Sequence, residues 1–140
     1  ETAPQAYPID TLAGFVVAVI DDDAEVLDST QRLLQRWGCR VFVAADAEGV
    51  LAHDGAAQTV QAVVADYRLR GDRTGVEAIG MLCRAAGRAL PALIVSGDSN
   101  PQQLQAVRAG GYQCLSKPLS ASRLRAWLSQ AAARSAQGSP

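Results

Sequence analysis

Phe15-Val16-Val17-Ala18-Val19-Ile20-Asp21-Asp22-Asp23 is the stretch that decides the fold. Six apolar residues with no polar alternation read as a strand covered on both faces. The strand ends abruptly in three carboxylates. The last of them, Asp23, is placed to cap a helix. Val26, Leu27, Leu33, Leu34 and Trp37 follow at helical spacing, and Gly38 supplies the stop.

Working outward, the same unit recurs. Residues 40–44 and 61–65 read as the second and third strands. Between them Asp46 opens a short helix that ends before Asp54-Gly55. Thr74-Gly75-Val76-Glu77 fits a capping box, and its helix carries Val76, Ile79, Leu82, Cys83 and Ala86 on one side. Residues 92–95 form a fourth strand. Asn100-Pro101 then reads as an N-cap with proline at the first helical position. Leu104 and Val107 follow, and Gly110-Gly111 ends that helix. Residues 112–115 form the fifth strand, and Ser120 caps a last helix through Leu124, Trp127, Leu128 and Ala131. Five strand-then-helix units in strict alternation predict an α/β fold, a parallel sheet with helices on both faces. Residues 1–13, with two prolines, read as a linker, 14–134 as the folded domain and 135–140 as a flexible tail.

Composition narrows the function classes. The 140 residues are 49% hydrophobic and carry 13 basic against 14 acidic groups, so nothing marks a nucleic-acid binder. No apolar run approaches a membrane span, and no secretory signal opens the chain. Neither nucleic acid nor membrane is therefore expected as a partner. Cys39, Cys83 and Cys114 lack metal-ligand spacing and read as free thiols of a cytoplasmic protein. A start at Glu1 rather than Met suggests a piece of a longer protein or a processed start.

In such folds ligands sit at the carboxyl ends of the strands. There the sequence collects Asp21-Asp22-Asp23 after strand one, Asp66 after strand three, Ser96-Gly97 after strand four and Lys117-Pro118 after strand five. Crowded carboxylates repel unless a cation neutralises them. A hard divalent ion suits oxygen donors, and a hydroxyl with an ammonium can hold the remaining oxygens of a phosphoryl group. Each residue alone has an ordinary explanation: a cap, a turn serine, a solvated lysine. The joint placement is what is specific.

The set Val19-Ile20-Asp21-Asp22-Asp23, Val64-Ala65-Asp66-Tyr67-Arg68-Leu69, Ile94-Val95-Ser96-Gly97 and Leu115-Ser116-Lys117-Pro118-Leu119 resembles the receiver domain of two-component response regulators. The resemblance spans residues 14–130. It implies a flavodoxin-like doubly wound sheet of order 2-1-3-4-5 with five helices. It implies Mg²⁺ held by Asp22 directly, Asp21 through water, Asp66 and the Arg68 carbonyl. It implies phosphorylation of Asp66 by a histidine kinase or histidine phosphotransfer domain, followed by self-catalysed dephosphorylation. Lys117 would pair with the phosphoryl group, Ser96 would follow it on activation, and Lys117-Pro118 matches the family's cis peptide. The family's aromatic switch residue is replaced by Cys114, with Tyr112 on the same face by strand alternation. The Gly71-Asp72-Arg73-Thr74 loop also departs from the common proline-containing form.

The Asp66 segment and the Leu-Ser-Lys-Pro-Leu turn further resemble C-terminal receivers of hybrid sensor histidine kinases, which leaves a membrane-anchored parent open. Two other functions stay in view. One is a pseudo-receiver that only scaffolds partners. The other is a haloacid-dehalogenase-like phosphatase using Asp21-x-Asp23, although Glu25 stands where a Thr or Val is expected. No P-loop motif is present. His53 reads as a solvated helix-end residue. The helix-strand-helix face carrying Gln105, Arg108, Gln113 and Arg123 is the expected partner surface, with the 97–100 loop leading into it.

Overall fold

The structure is a computed structural model that describes residues 12–97 and 100–137. The 1–11 part of the linker, residues 98 and 99 of the 97–100 loop, and residues 138–140 of the tail lie outside the described residues. Five parallel strands, β1 (Val16–Ile20), β2 (Arg40–Ala44), β3 (Ala62–Asp66), β4 (Ala92–Ser96) and β5 (Gln113–Ser116), form one sheet in the order β2-β1-β3-β4-β5. That is the expected doubly wound order.

Helices α1 (Ala24–Arg36) and α6 (Ala121–Gln137) cover one face. There Leu34, Leu124 and Leu128 pack on Val17, Val19, Val64, Leu93 and Val95. Helices α2 (Ala47–Leu51), α3 (Ala56–Thr59), α4 (Gly75–Ala86) and α5 (Pro101–Ala109) lie on the other. That face buries Val50, Ala56, Ile79, Leu82 and Val107 against Ala18, Ile20, Val63 and Ile94. Strand alternation sorts the two sets: Leu93 and Val95 go one way, Ile94 and Ser96 the other.

The caps are those expected. Asp23 accepts from the Glu25 and Val26 amides, and Thr74 with Glu77 forms the complete capping box. Asn100 accepts from the Gln102 amide, and Ser120 from that of Arg123.

Among the described residues, six helical segments replace the expected five. The extra one, α3, is a single turn of Ala-Ala-Gln-Thr entered through Gly55 at φ +78°. Four residues are too few to display a period, so sequence pattern could not reveal it. Helix α6 also continues past Arg134 to Gln137, where Ser135 Oγ accepts from Gln61 Nε2 at 3.2 Å. Leu12, counted with the linker, is buried in the α1/α6 core. His53 is exposed as expected but packs on Phe42, with ring centroids 5.3 Å apart.

Candidate functional site

Strand register builds the site. Ile20 is level with both Ala44 and Ala65, so Asp21 and Asp66 emerge side by side from neighbouring strands. Asp66 is level with Val95, and Ser96 with Ser116, so Lys117 stands one step beyond Ser96. Its amide donates to the Ser96 carbonyl at 2.9 Å. The Lys117-Pro118 peptide is cis.

The acidic pocket is tight. Asp21, Asp22 and Asp66 each offer a carboxylate oxygen within 4.8 Å of the others. Lys117 Nζ donates to Asp66 Oδ2 at 3.0 Å and lies 3.8 Å from Asp21 Oδ2. Asp21 Oδ1 accepts from the Asp23 amide at 2.9 Å. Burial raises the Asp21 pKa above its ordinary value, and the charges of Asp66 and Asp22 add to this. The Asp23 amide and Lys117 oppose them. For Lys117, burial alone would lower the pKa, but the Asp66 hydrogen bond and the charges of Asp66, Asp21 and Asp22 hold it above the ordinary lysine value. An all-oxygen donor set with excess negative charge fits a hard divalent cation.

Asp23 differs from its two neighbours, because its Oδ1 is occupied by the Glu25 and Val26 amides in the first turn of α1. Ser96 is buried, and its Oγ lies 3.3 Å from the side-chain amide of Gln103. Arg68 sits in an excursion closed by an isolated bridge to Thr74. Arg73 holds this loop with a forked pair to Glu48, at 3.1 and 2.8 Å. Cys114 is half-buried, and burial raises its thiol pKa. Tyr112 packs on the same face as Cys114. It precedes Gln113, the partner of Leu93, so it lies four rows from Ser96, about 13 Å along the strand. Its ring lies on Gly110, where an added β-carbon would meet Cε2 at 2.7 Å. Tyr112 therefore stands at the opposite sheet edge from the acidic pocket.

Two contributors were not read from sequence. Gly75 begins α4 so close to β3 that a β-carbon would fall 2.4 Å from the Asp66 carbonyl oxygen. Glycine at a first helical position was the one hint. Gln103 is buried at i−4 from Val107, the position of an apolar residue on that helix face. Its polarity hid it from a search for apolar periodicity.

The profile of the response regulator receiver domain matches residues 17–129. The chain belongs to this family. The receiver is 28% identical over 110 residues to the nitrogen assimilation regulatory protein NtrX of Azorhizobium caulinodans, covering 77% of this chain and 24% of that protein. It is 28% identical over 113 residues to the two-component response regulator PprB of Pseudomonas aeruginosa, covering 79% and 41%. The chain thus spans less than half the length of either relative. Full-length FixJ from B. japonicum is 28% identical with TM-score 0.72, over 89% of this chain and 61% of that one. The signal receiver domain of an HD domain-containing protein from Pseudomonas fluorescens reaches TM-score 0.76 at 20% identity, over 89% and 99%, a likeness of fold. Receivers in general work with histidine kinases or phosphotransfer proteins, and generally bind Mg²⁺ through an acidic pocket of this kind. No helix among the described residues is long and apolar enough to cross a membrane.

Proposed function

We propose that Asp66 is the phosphoacceptor, taking its phosphoryl group from phosphohistidine on a histidine kinase or histidine phosphotransfer domain. The observation that carries this reading is the Lys117 ammonium on Asp66 Oδ2, at 3.0 Å, beside two further carboxylates. A carboxylate oxygen of Asp66 attacks phosphorus in line. A P–O bond forms as the P–N bond breaks, and the imidazole nitrogen leaves with the electron pair. Lys117 holds the charge that develops on the transferring oxygens. Ser96 then donates its hydroxyl to one of them. Water later cleaves the acyl phosphate, restoring the Asp66 carboxylate and releasing inorganic phosphate. In this reading the receiver catalyses its own phosphorylation and dephosphorylation.

Asp21, Asp22, Asp66 and the Arg68 backbone carbonyl would hold Mg²⁺, and a cation there would neutralise phosphoryl oxygens. Residues 14–134 are the receiver unit, acting in the cytoplasm. The likeness of the Asp66 and Lys117 segments to hybrid-kinase receivers supports placing this one behind a sensor kinase. The phosphatase reading needs Asp23 in catalysis, and its capping of α1 speaks against that.

The test is incubation with a small-molecule phosphodonor and Mg²⁺, followed by intact mass. Wild type gains one phosphoryl group and Asp66→Asn gains none. Equal labelling of both moves the acceptor elsewhere, and labelling of neither leaves the scaffold reading.

A further inference from the structure

Helix α5 buries only two of its nine side chains, Gln103 and Val107. A leucine would suit the Gln103 position, four residues before Val107 and on the same face. A buried amide is retained only with partners, because an unpaired one costs a lost hydrogen bond.

The partners are on two different elements, Arg68 on the loop after β3 and Ser96 at the end of β4. One end of the amide faces Arg68, the other the Ser96 hydroxyl. A guanidinium has donors and no acceptor, so the amide oxygen must be the end that faces it. In that orientation Gln103 Oε1 accepts from Arg68 Nε at 3.1 Å and from Nη2 at 2.8 Å. The amide NH₂ then faces Ser96 Oγ, at the 3.3 Å separation, and donates to it. A hydroxyl oxygen that accepts at its lone pair has its own proton turned away from that donor. Gln103 therefore sets the direction in which Ser96 donates.

A polar groove of about 400 Å³ separates the loop after β3 from the start of α5, with Tyr67, Thr74, Asn100 and Gln102 among its lining residues. Ser96 also belongs to the strand column of Ile94, facing the α5 side of the sheet, whereas Asp66 continues the column of Val64 on the α1/α6 side.

We propose that Gln103 is a positioning residue: its amide bridges Arg68 and Ser96 in the unphosphorylated receiver and ties α5 to the loops that flank Asp66. The proposal rests on the reading of Asp66 as phosphoacceptor for its consequence. When Ser96 turns to the phosphoryl group it leaves the Gln103 amide, and α5 loses one of its two buried anchors. This polar bridge gives the site a route to α5 in a chain that has Cys114 where the family's aromatic stands.

The bridge is tested first without any phosphodonor, by ¹⁵N NMR of the Arg68 Nε–H. Wild type gives a resonance protected from exchange. Gln103→Met, equal in length and without polar atoms, removes that protection. Gln103→Glu keeps an acceptor for Arg68 and restores it. Loss of one ordinary hydrogen bond shifts a two-state equilibrium about fivefold. In Gln103→Met the amides of residues 102–109 therefore move toward their positions in wild type with beryllofluoride and Mg²⁺. Phosphoryl uptake from a small donor rises by a similar factor of about five. Ala106→Ser, on the exposed side of α5, changes neither. An Arg68 resonance that is identical in wild type and Gln103→Met overturns the bridge. Unmoved 102–109 amides overturn the tie to α5. If Gln103→Met does not fold, Gln103→Glu decides, because unchanged uptake in that variant removes the role of the donor to Ser96. Failure of Asp66 labelling in wild type strikes the acceptor assignment and is read separately from the Arg68 resonance.

Discussion

The two faces of the sheet end in different chemistry. On the α1/α6 face the columns Val17-Val19, Ala62-Val64 and Leu115 lead to Asp21, Asp66 and Lys117. On the α2–α5 face the columns Ile94 and Cys114 lead to Ser96 and Ser116. Adjacent residues of one strand thus serve opposite sides. The charged groups proposed to handle a phosphoryl group project from one face. The hydroxyl proposed to respond to it projects from the other and meets Gln103 there. A parallel sheet buried on both faces makes this separation possible, since a single strand addresses two helical layers at once.

The largest effects test whether the faces are equivalent as scaffolds. Leu93 and Ile94 are neighbours on β4, point to opposite faces and are both fully buried. Leu93→Ala and Ile94→Ala each cost about 3 kcal/mol by the usual cost of a core truncation, measured by urea unfolding. A twofold difference between them would show that one face carries the stability. Lys117→Ala tests the charged face. Removing one donor at a developing charge lowers rates about 100-fold or more, so phosphoryl uptake falls by that factor while Ser96→Ala keeps most of it. Equal losses would put both residues in the same role.

A smaller effect concerns Asp21. Its carboxyl is raised above 3.8, chiefly by burial, so the folded state holds that proton more tightly than the unfolded chain. The stabilisation is full below pH 3.8 and is lost as pH rises through the raised folded value, leaving a charged, crowded carboxylate at neutral pH. Asp21→Asn therefore gains on the order of 1 kcal/mol at pH 7 without metal, and the gain vanishes near pH 3. Denaturant melts at the two pH values check this, and a loss at pH 7 would contradict it. Mg²⁺ at ten times its Kd stabilises wild type by about 1.4 kcal/mol, and chelation reverses it. The smallest effect is at the rim. Arg73 and Glu48 form a forked but solvent-exposed pair, so Arg73→Ala leaves the melting temperature nearly unchanged. A large drop would show that the loop carrying Arg68 needs this clamp.

Much of the molecule was decided locally and was legible in sequence. Apolar runs, caps at Asp23, Thr74 and Asn100, and stops at Gly38 and Gly110 each act within a few residues, so pattern alone yields the five units and their order. Alternation placed Asp21, Asp66, Ser96 and Lys117 at one edge, because strand ends in a parallel sheet share an edge. Other features depend on residues far apart in the chain. The single turn α3 has no period to read. The 4.8 Å crowding of three carboxylates follows from the register of β1 against β3. Tyr112 shares a face with Cys114, yet only strand register removes it from the active edge. The Gln103 amide becomes meaningful only when folding brings Ser96 and Arg68 to its two ends. Hydrogen-bond partners across 7 and 35 residues of chain are set by packing, which one-dimensional spacing does not encode.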